Sequence, residues 1–143
     1  MPVPLEGIKS ASVVYTGAPL REAVSAQPFA LFCGEDARYG THLEVYPRPN
    51  GEVYICGIGG SDYVSGARLR PGGDTESQER VGPDPKRVAA AQAAFAGISR
   101  TAGGGAPDVQ QACMRPCAPD ALPILGAVPG VAGAYLACGT NCW

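Results

Sequence analysis

Apolar residues in this chain fall into short runs broken by proline and glycine, and most runs have the length of a strand. Residues 8–15, IKSASVVY, combine alternation with β-branched residues and predict a strand, closed by Gly17-Ala18-Pro19. Residues 29–33 predict a second. Residues 41–47 and 52–57 flank Arg48-Pro49-Asn50-Gly51, with Leu43 and Val45 on one arm and Val53 and Ile55 on the other. Asn-Gly between alternating arms predicts a hairpin, because both turn residues tolerate positive φ. Residues 59–82 are rich in glycine, serine and charge, without apolar period, and are expected to form a surface loop. The one clear helical period follows. Asp84 is placed to cap, Pro85 to take the first helical position, and Val88, Ala91, Phe95 and Ile98 recur at helical spacing, so a helix is expected from about Pro85 to Ser99. Gly103-Gly104-Gly105 cannot continue it. Residues 109–115, 122–126 and 134–138 supply three further strands. The sum is an α+β fold: a mixed, largely antiparallel sheet of about seven strands with one main helix.

The chain has 143 residues, 45% of them hydrophobic, which suits one core. Eleven basic and thirteen acidic residues are interspersed for a net charge of -2, so no basic face points to nucleic acid and no charge block to an anionic membrane. No window approaches the roughly 20 apolar residues of a spanning helix, and MPVPLEGIKS lacks the basic and apolar regions of a signal peptide. A soluble, cytoplasmic chain is expected, with cysteines 33, 56, 113, 117, 138 and 142 as free thiols. His42 is the only histidine, at a strand start and without a nucleophile motif beside it, which argues against a Ser-His-Asp or Cys-His mechanism.

Three places carry candidate chemistry. Arg115, between Met114 and Pro116, is a cation delivered by a strand to a corner built from Cys117-Ala118-Pro119-Asp120 and left through Leu122-Pro123-Ile124-Leu125-Gly126. Tyr46 and Tyr54 flank the predicted hairpin, where phenols on an open sheet face can hydrogen-bond or stack against a ligand. Gly139, Thr140 and Asn141 form a glycine-led loop after the last strand.

In order and wording, these segments resemble the C-terminal part of FAD-dependent oxidoreductases of the D-amino acid oxidase type. Gly7-Ile8-Lys9 leading into Ser12-Val13-Val14 is similar to the strand entering that family's substrate domain, and residues 44–57 resemble paired strands of its sheet. Residues 111–143 resemble the G-x-R-P, P-D-G-L-P-x-I-G and G-H-x-x-x-G succession, with Ala121 in the place of the P-D-G-L-P glycine and Thr140 in the place of the terminal histidine.

The resemblance implies an enzyme that oxidises a carbon–nitrogen bond of an amino acid or amine by hydride transfer to FAD. It implies Arg115 as the partner of a substrate carboxylate, Tyr46 and Tyr54 as substrate contacts, and Gly139, Thr140 and Asn141 as the loop approaching the flavin. It further implies that this chain is a partial substrate domain, truncated at both ends, with its Rossmann half missing or on a separate polypeptide. A Rossmann half needs a strand, G-x-G-x-x-G and a helix. Gly57-Ile58-Gly59-Gly60 lacks the third glycine at that spacing and opens into a polar segment, so FAD binding by this chain alone is expected to be weak or absent. Two alternatives stand beside this reading. One is a small zinc-binding interaction module using Cys113, Cys117, Cys138 and Cys142, although zinc knuckles usually have C-x2-C spacing; the other is an inactive remnant.

Overall fold

The computed structural model describes residues 4–101 and 105–141. The chain divides into two compact units, one of Met1–Lys9, Ser61–Val81 and Cys113–Trp143, the other of Ser10–Gly60 and Gly82–Ala112. The fold is α+β with mostly antiparallel pairing, as the apolar pattern predicts. The described residues form strands β1 (Glu6–Tyr15), β2 (Leu31–Phe32), β3 (Glu44–Pro47), β4 (Val53–Cys56), β5 (Asp62–Val64), β6 (Val109–Cys117), β7 (Ile124–Ala127) and β8 (Tyr135–Cys138). The helices are α1 (Ala18–Ala26), the single turn α2 (Gly66–Leu69) and α3 (Pro85–Ala96). None of them is long and apolar enough to cross a membrane. β1 and β6 pair with each other, and each contributes one end to each unit.

In the second unit, β2, β3, β4 and the C-terminal half of β1 pair antiparallel in sequence-distant register, with Val45 opposite Ile55 and Val13 opposite Ile55 on its other side. The period of two then puts Val13, Tyr15, Val45, Val53 and Ile55 on one face, where they pack against Val88, Ala91, Ala94 and Phe95 of α3 and Leu20 of α1. Tyr15 and Phe95 meet with ring centroids 5.0 Å apart. The expected start of α3 is found: the Asp84 carboxylate accepts from the Lys86 N–H at 2.8 Å, with Pro85 opening the helix. It ends at Ala96, three residues short of expectation.

Two expectations need correction here. The segment after Gly17 is not only a strand terminator: Pro19 at the start of a nine-residue helix is compatible with its first turn, and Leu20 and partly buried Val24, four apart, give α1 the narrow apolar stripe it packs with. The hairpin turn also differs. Only Gly51 has positive φ, at 85°, and its N–H donates to Arg48 O at 2.9 Å while the Asn50 side chain accepts from the Glu52 N–H at 3.1 Å. Pro49 fixes φ in the ordinary negative range at the second turn position, which selects a right-handed turn followed by one left-handed glycine.

In the first unit, β5 pairs with the N-terminal half of β1, Gly7 opposite Val64 and Lys9 opposite Asp62. The segment expected as a loop thus contains a strand, α2 and a 3-10 turn at Gln78–Arg80. Charge orders it where apolar period is absent. Arg68 grips Asp74 with two bonds, Nε to Oδ1 at 2.8 Å and Nη2 to Oδ2 at 2.9 Å, and its Nη1 reaches Asp62 at 3.3 Å, beside Lys9. β7 and β8 form a separate antiparallel hairpin, Ile124 opposite Cys138.

Candidate functional site

Within the second unit, the face of the sheet opposite the core carries the hairpin tyrosines. Tyr46 and Tyr54 are directly opposite across β3 and β4, with ring centroids 6.3 Å apart. Phe32 of β2 stands edge-on to Tyr46 at 5.7 Å and 89°. Glu44 is two residues before Tyr46 and therefore on the same face, level with Phe32 and Cys56. The Tyr46 hydroxyl donates to Glu44 Oε2 at 2.6 Å, and Cys56 Sγ points to the same oxygen at 3.6 Å. Hydrogen bonding to Glu44, with desolvation and the carboxylate's charge adding to it, pushes the Tyr46 phenol up to about 12. At the far end of the row, the Arg48 guanidinium lies over the Tyr54 ring at 4.9 Å and pairs with Glu52 at 3.1 Å. Glu44, Phe32 and Cys56 were not singled out by sequence reasoning. The signal was the alternation in Glu44-Val45-Tyr46, which places carboxylate and phenol together once residue 45 is assigned to the core.

Gly57-Ile58-Gly59-Gly60 has a different occupation. Gly57, Gly59 and Gly60 all have positive φ, and a Cβ on Gly60 would stand 2.9 Å from Arg87 Cγ, one on Gly59 2.7 Å from Arg87 Nη2. Arg87, on the first turn of α3, donates through Nε to Ile58 O at 2.8 Å and through Nη2 to Tyr39 O at 2.9 Å and Gly40 O at 2.7 Å. The glycines therefore let backbone close around an arginine. No cradle for a pyrophosphate is left at this run, so these residues do not fit the dinucleotide end of FAD.

In the first unit, Arg115 is half-buried near the end of β6. The loop of Gly139, Thr140 and Asn141 lies beside that strand end: Thr140 bridges to Cys117, and the Asn141 N–H donates to Pro116 O at 3.1 Å. Gly139, at φ 75°, is buried with Ala118 N 3.5 Å from the place of a Cβ. Arg115 and the terminal loop, 24 residues apart in sequence, are thus joined through one strand end. After Pro116 the chain turns at Ala118-Pro119-Asp120-Ala121, where the Ala121 N–H donates to Ala118 O at 2.8 Å and Asp120 accepts from the Leu122 N–H at 3.0 Å. Ala121 takes φ 60°, a left-handed conformation that glycine adopts freely. Nearby on β5, hydrogen bonding to Glu6, with desolvation and the same carboxylate's charge, pushes the Tyr63 phenol up to about 12, and Cys117 contributes further. The tyrosines of the hairpin belong to one unit, and Arg115 and the terminal loop to the other.

Cys33, Cys113, Cys117 and Cys138 carry free thiols. Among the described residues, no three or more His, Cys, Asp or Glu side chains come together as a metal site. Cys142, the fourth ligand of the zinc alternative, lies outside the described residues. No family model matches the chain.

Proposed function

We propose that this chain is the substrate-binding part of an FAD-dependent oxidoreductase of the D-amino acid oxidase type, oxidising a carbon–nitrogen bond of an amino acid or amine in the cytoplasm. The observation that carries the reading is the junction of Thr140 and Asn141 with Cys117 and Pro116, immediately after Arg115. A loop assigned to the flavin and a cation assigned to the substrate are held on one strand end. The left-handed backbone at Ala121 supports the same reading, since the family's pattern has glycine at that place.

Bound FAD would supply the hydride acceptor, and the protein's contribution would be position and electrostatics. Arg115 pairs with a substrate carboxylate, for which a planar guanidinium offers two parallel donors. Tyr46 and Tyr54 belong to the other unit and are not assigned to this site. The dinucleotide end of FAD is assigned to residues other than Gly57-Ile58-Gly59-Gly60, because that run encloses Arg87. The free thiols fit a reducing compartment.

The test uses the FAD-loaded protein that contains this chain, assayed with a panel of amino acids and simple amines. Arg115→Lys raises KM for the carboxylate-bearing substrates by about 10-fold and leaves kcat for carboxylate-free amines near wild type. Equal loss on both classes overturns the role of Arg115. Purified chain carrying near-stoichiometric flavin by absorbance overturns the assignment of the dinucleotide site to other residues.

A further inference from the structure

We propose that the sheet face formed by Phe32, Glu44, Tyr46 and Tyr54 is a binding site for a small organic ammonium ion. Three aromatic rings stand in sequence across neighbouring strands, and Phe32 and Tyr46 meet at 89°, so their surfaces form two walls of a corner. Ring faces carry negative quadrupole potential and attract cations within about 6 Å of the centroid. On the same face, opposite Phe32 across β2 and β3, is the Glu44 carboxylate, which accepts from the Tyr46 hydroxyl and Cys56 Sγ. Among the described residues, no Lys, Arg or His forms an ion pair with Glu44. A half-buried anion beside three rings is an environment for a positive charge with apolar substituents.

The other end of the same row already shows this chemistry. The Arg48 guanidinium lies 4.9 Å from the Tyr54 centroid and is neutralised by Glu52. It covers Tyr54 without contributing net charge against a second cation. The Phe32 and Tyr46 end remains open, with Phe32 at 73% exposure. An open corner rather than an enclosed cage implies affinity of order millimolar for a bare ammonium. A free amine is the inferred occupant, since its alkyl group can lie flat on Phe32 while its N–H donors reach Glu44.

The site stands on this face alone and is independent of flavin, so its failure and that of the oxidoreductase reading are read separately. The experiment follows the aromatic resonances of the full chain by NMR during titration with butylammonium, with 1-butanol as the neutral control and a lysine-containing peptide as the protein-borne alternative. Butylammonium is expected to shift the Phe32, Tyr46 and Tyr54 resonances saturably, with 1-butanol at least about 10-fold weaker. Glu44→Gln, which keeps shape and removes charge, weakens binding by about 10-fold. Phe32→Ala, at an exposed position, weakens it severalfold and serves as the second variant if Glu44→Gln fails to fold. Equal binding of 1-butanol, unchanged affinity in the folded variants, no saturable shift, or binding of the peptide alone each overturns the proposal.

Discussion

Gly51 and Ala121 occupy the same position of the same turn at two places in the chain. Arg48-Pro49-Asn50-Gly51 and Ala118-Pro119-Asp120-Ala121 each close with an N–H of the fourth residue donating to the first carbonyl, at 2.9 and 2.8 Å. In each, the third side chain accepts from the N–H two residues on. The fourth residue is left-handed in both, with φ of 85° at Gly51 and 60° at Ala121. Proline and an Asx residue dictate the turn; the fourth residue must accept its consequence.

Ala121 bears that consequence with a Cβ. Left-handed backbone costs an L-residue about 1–2 kcal/mol, and glycine gives back about 0.5–1 kcal/mol through its freer unfolded chain. Ala121→Gly is therefore expected to stabilise the protein by about 0.5–1 kcal/mol. A higher urea midpoint at unchanged slope checks it. Gly51→Ala goes the other way: beyond the φ strain, its Cβ would stand 2.8 Å from Arg21 Cα, so a loss of more than about 2 kcal/mol is expected.

Arg87 holds the carbonyls of Ile58, Tyr39 and Gly40 to the first turn of α3. Arg87→Ala leaves these acceptors without their charged donor and is expected to cost on the order of 3 kcal/mol. Arg87→Lys recovers little, because a single ammonium cannot span the same acceptors. Thermal melts of the two variants, compared with Lys86→Ala as an exposed control, decide it.

Tyr46 titrates late because Glu44 accepts its proton bond. Folded phenol at about 12 against 10.0 unfolded means the folded state holds its proton more tightly. The resulting stability is fully present below pH 10 and is lost as pH rises toward 12. Glu44→Gln removes the charge opposing phenolate formation, so the Tyr46 phenol is expected to titrate nearer its ordinary value. Ultraviolet phenolate titration of wild type and variant reads the difference, and coincident curves would sink the attribution.

The Arg68 clamp makes an opposite pH statement. Its guanidinium, held by two bonds to Asp74, keeps that carboxyl below its ordinary 3.8. Order in residues 66–80 is present above pH 3.8 and is lost as pH falls through the lower folded value. Asp74→Asn is expected to speed amide exchange and proteolysis within 66–80 at neutral pH while leaving α3 protected. Uniform loss of protection in both segments would show that the clamp acts globally.

How much of this was legible in advance follows the range of each signal. α3 was readable because Asp84, Pro85 and the spacing of Val88, Ala91 and Phe95 all agree locally. The β3 and β4 pairing was readable from Asn50-Gly51, but its turn type was not, since Pro49 outweighed the two-residue pattern. β5 was missed because its three residues sit in a charged segment whose order comes from Arg68, Asp62 and Asp74 meeting in space.

The candidate chemistry divides the same way. Sequence by itself determined the residue types and their periods: Tyr46 and Tyr54 flanking a hairpin, Arg115 at the end of a strand, glycines at 57, 59 and 60. Only the tertiary structure decided that those glycines enclose Arg87, that Glu44 and Phe32 join the tyrosines, and that Thr140 and Asn141 lie against Cys117 and Pro116. The physical reason is separation along the chain. Periodicity and turn chemistry act over a few residues, whereas a guanidinium choosing carbonyls 29 and 47 positions away is settled only when packing brings them within bonding distance.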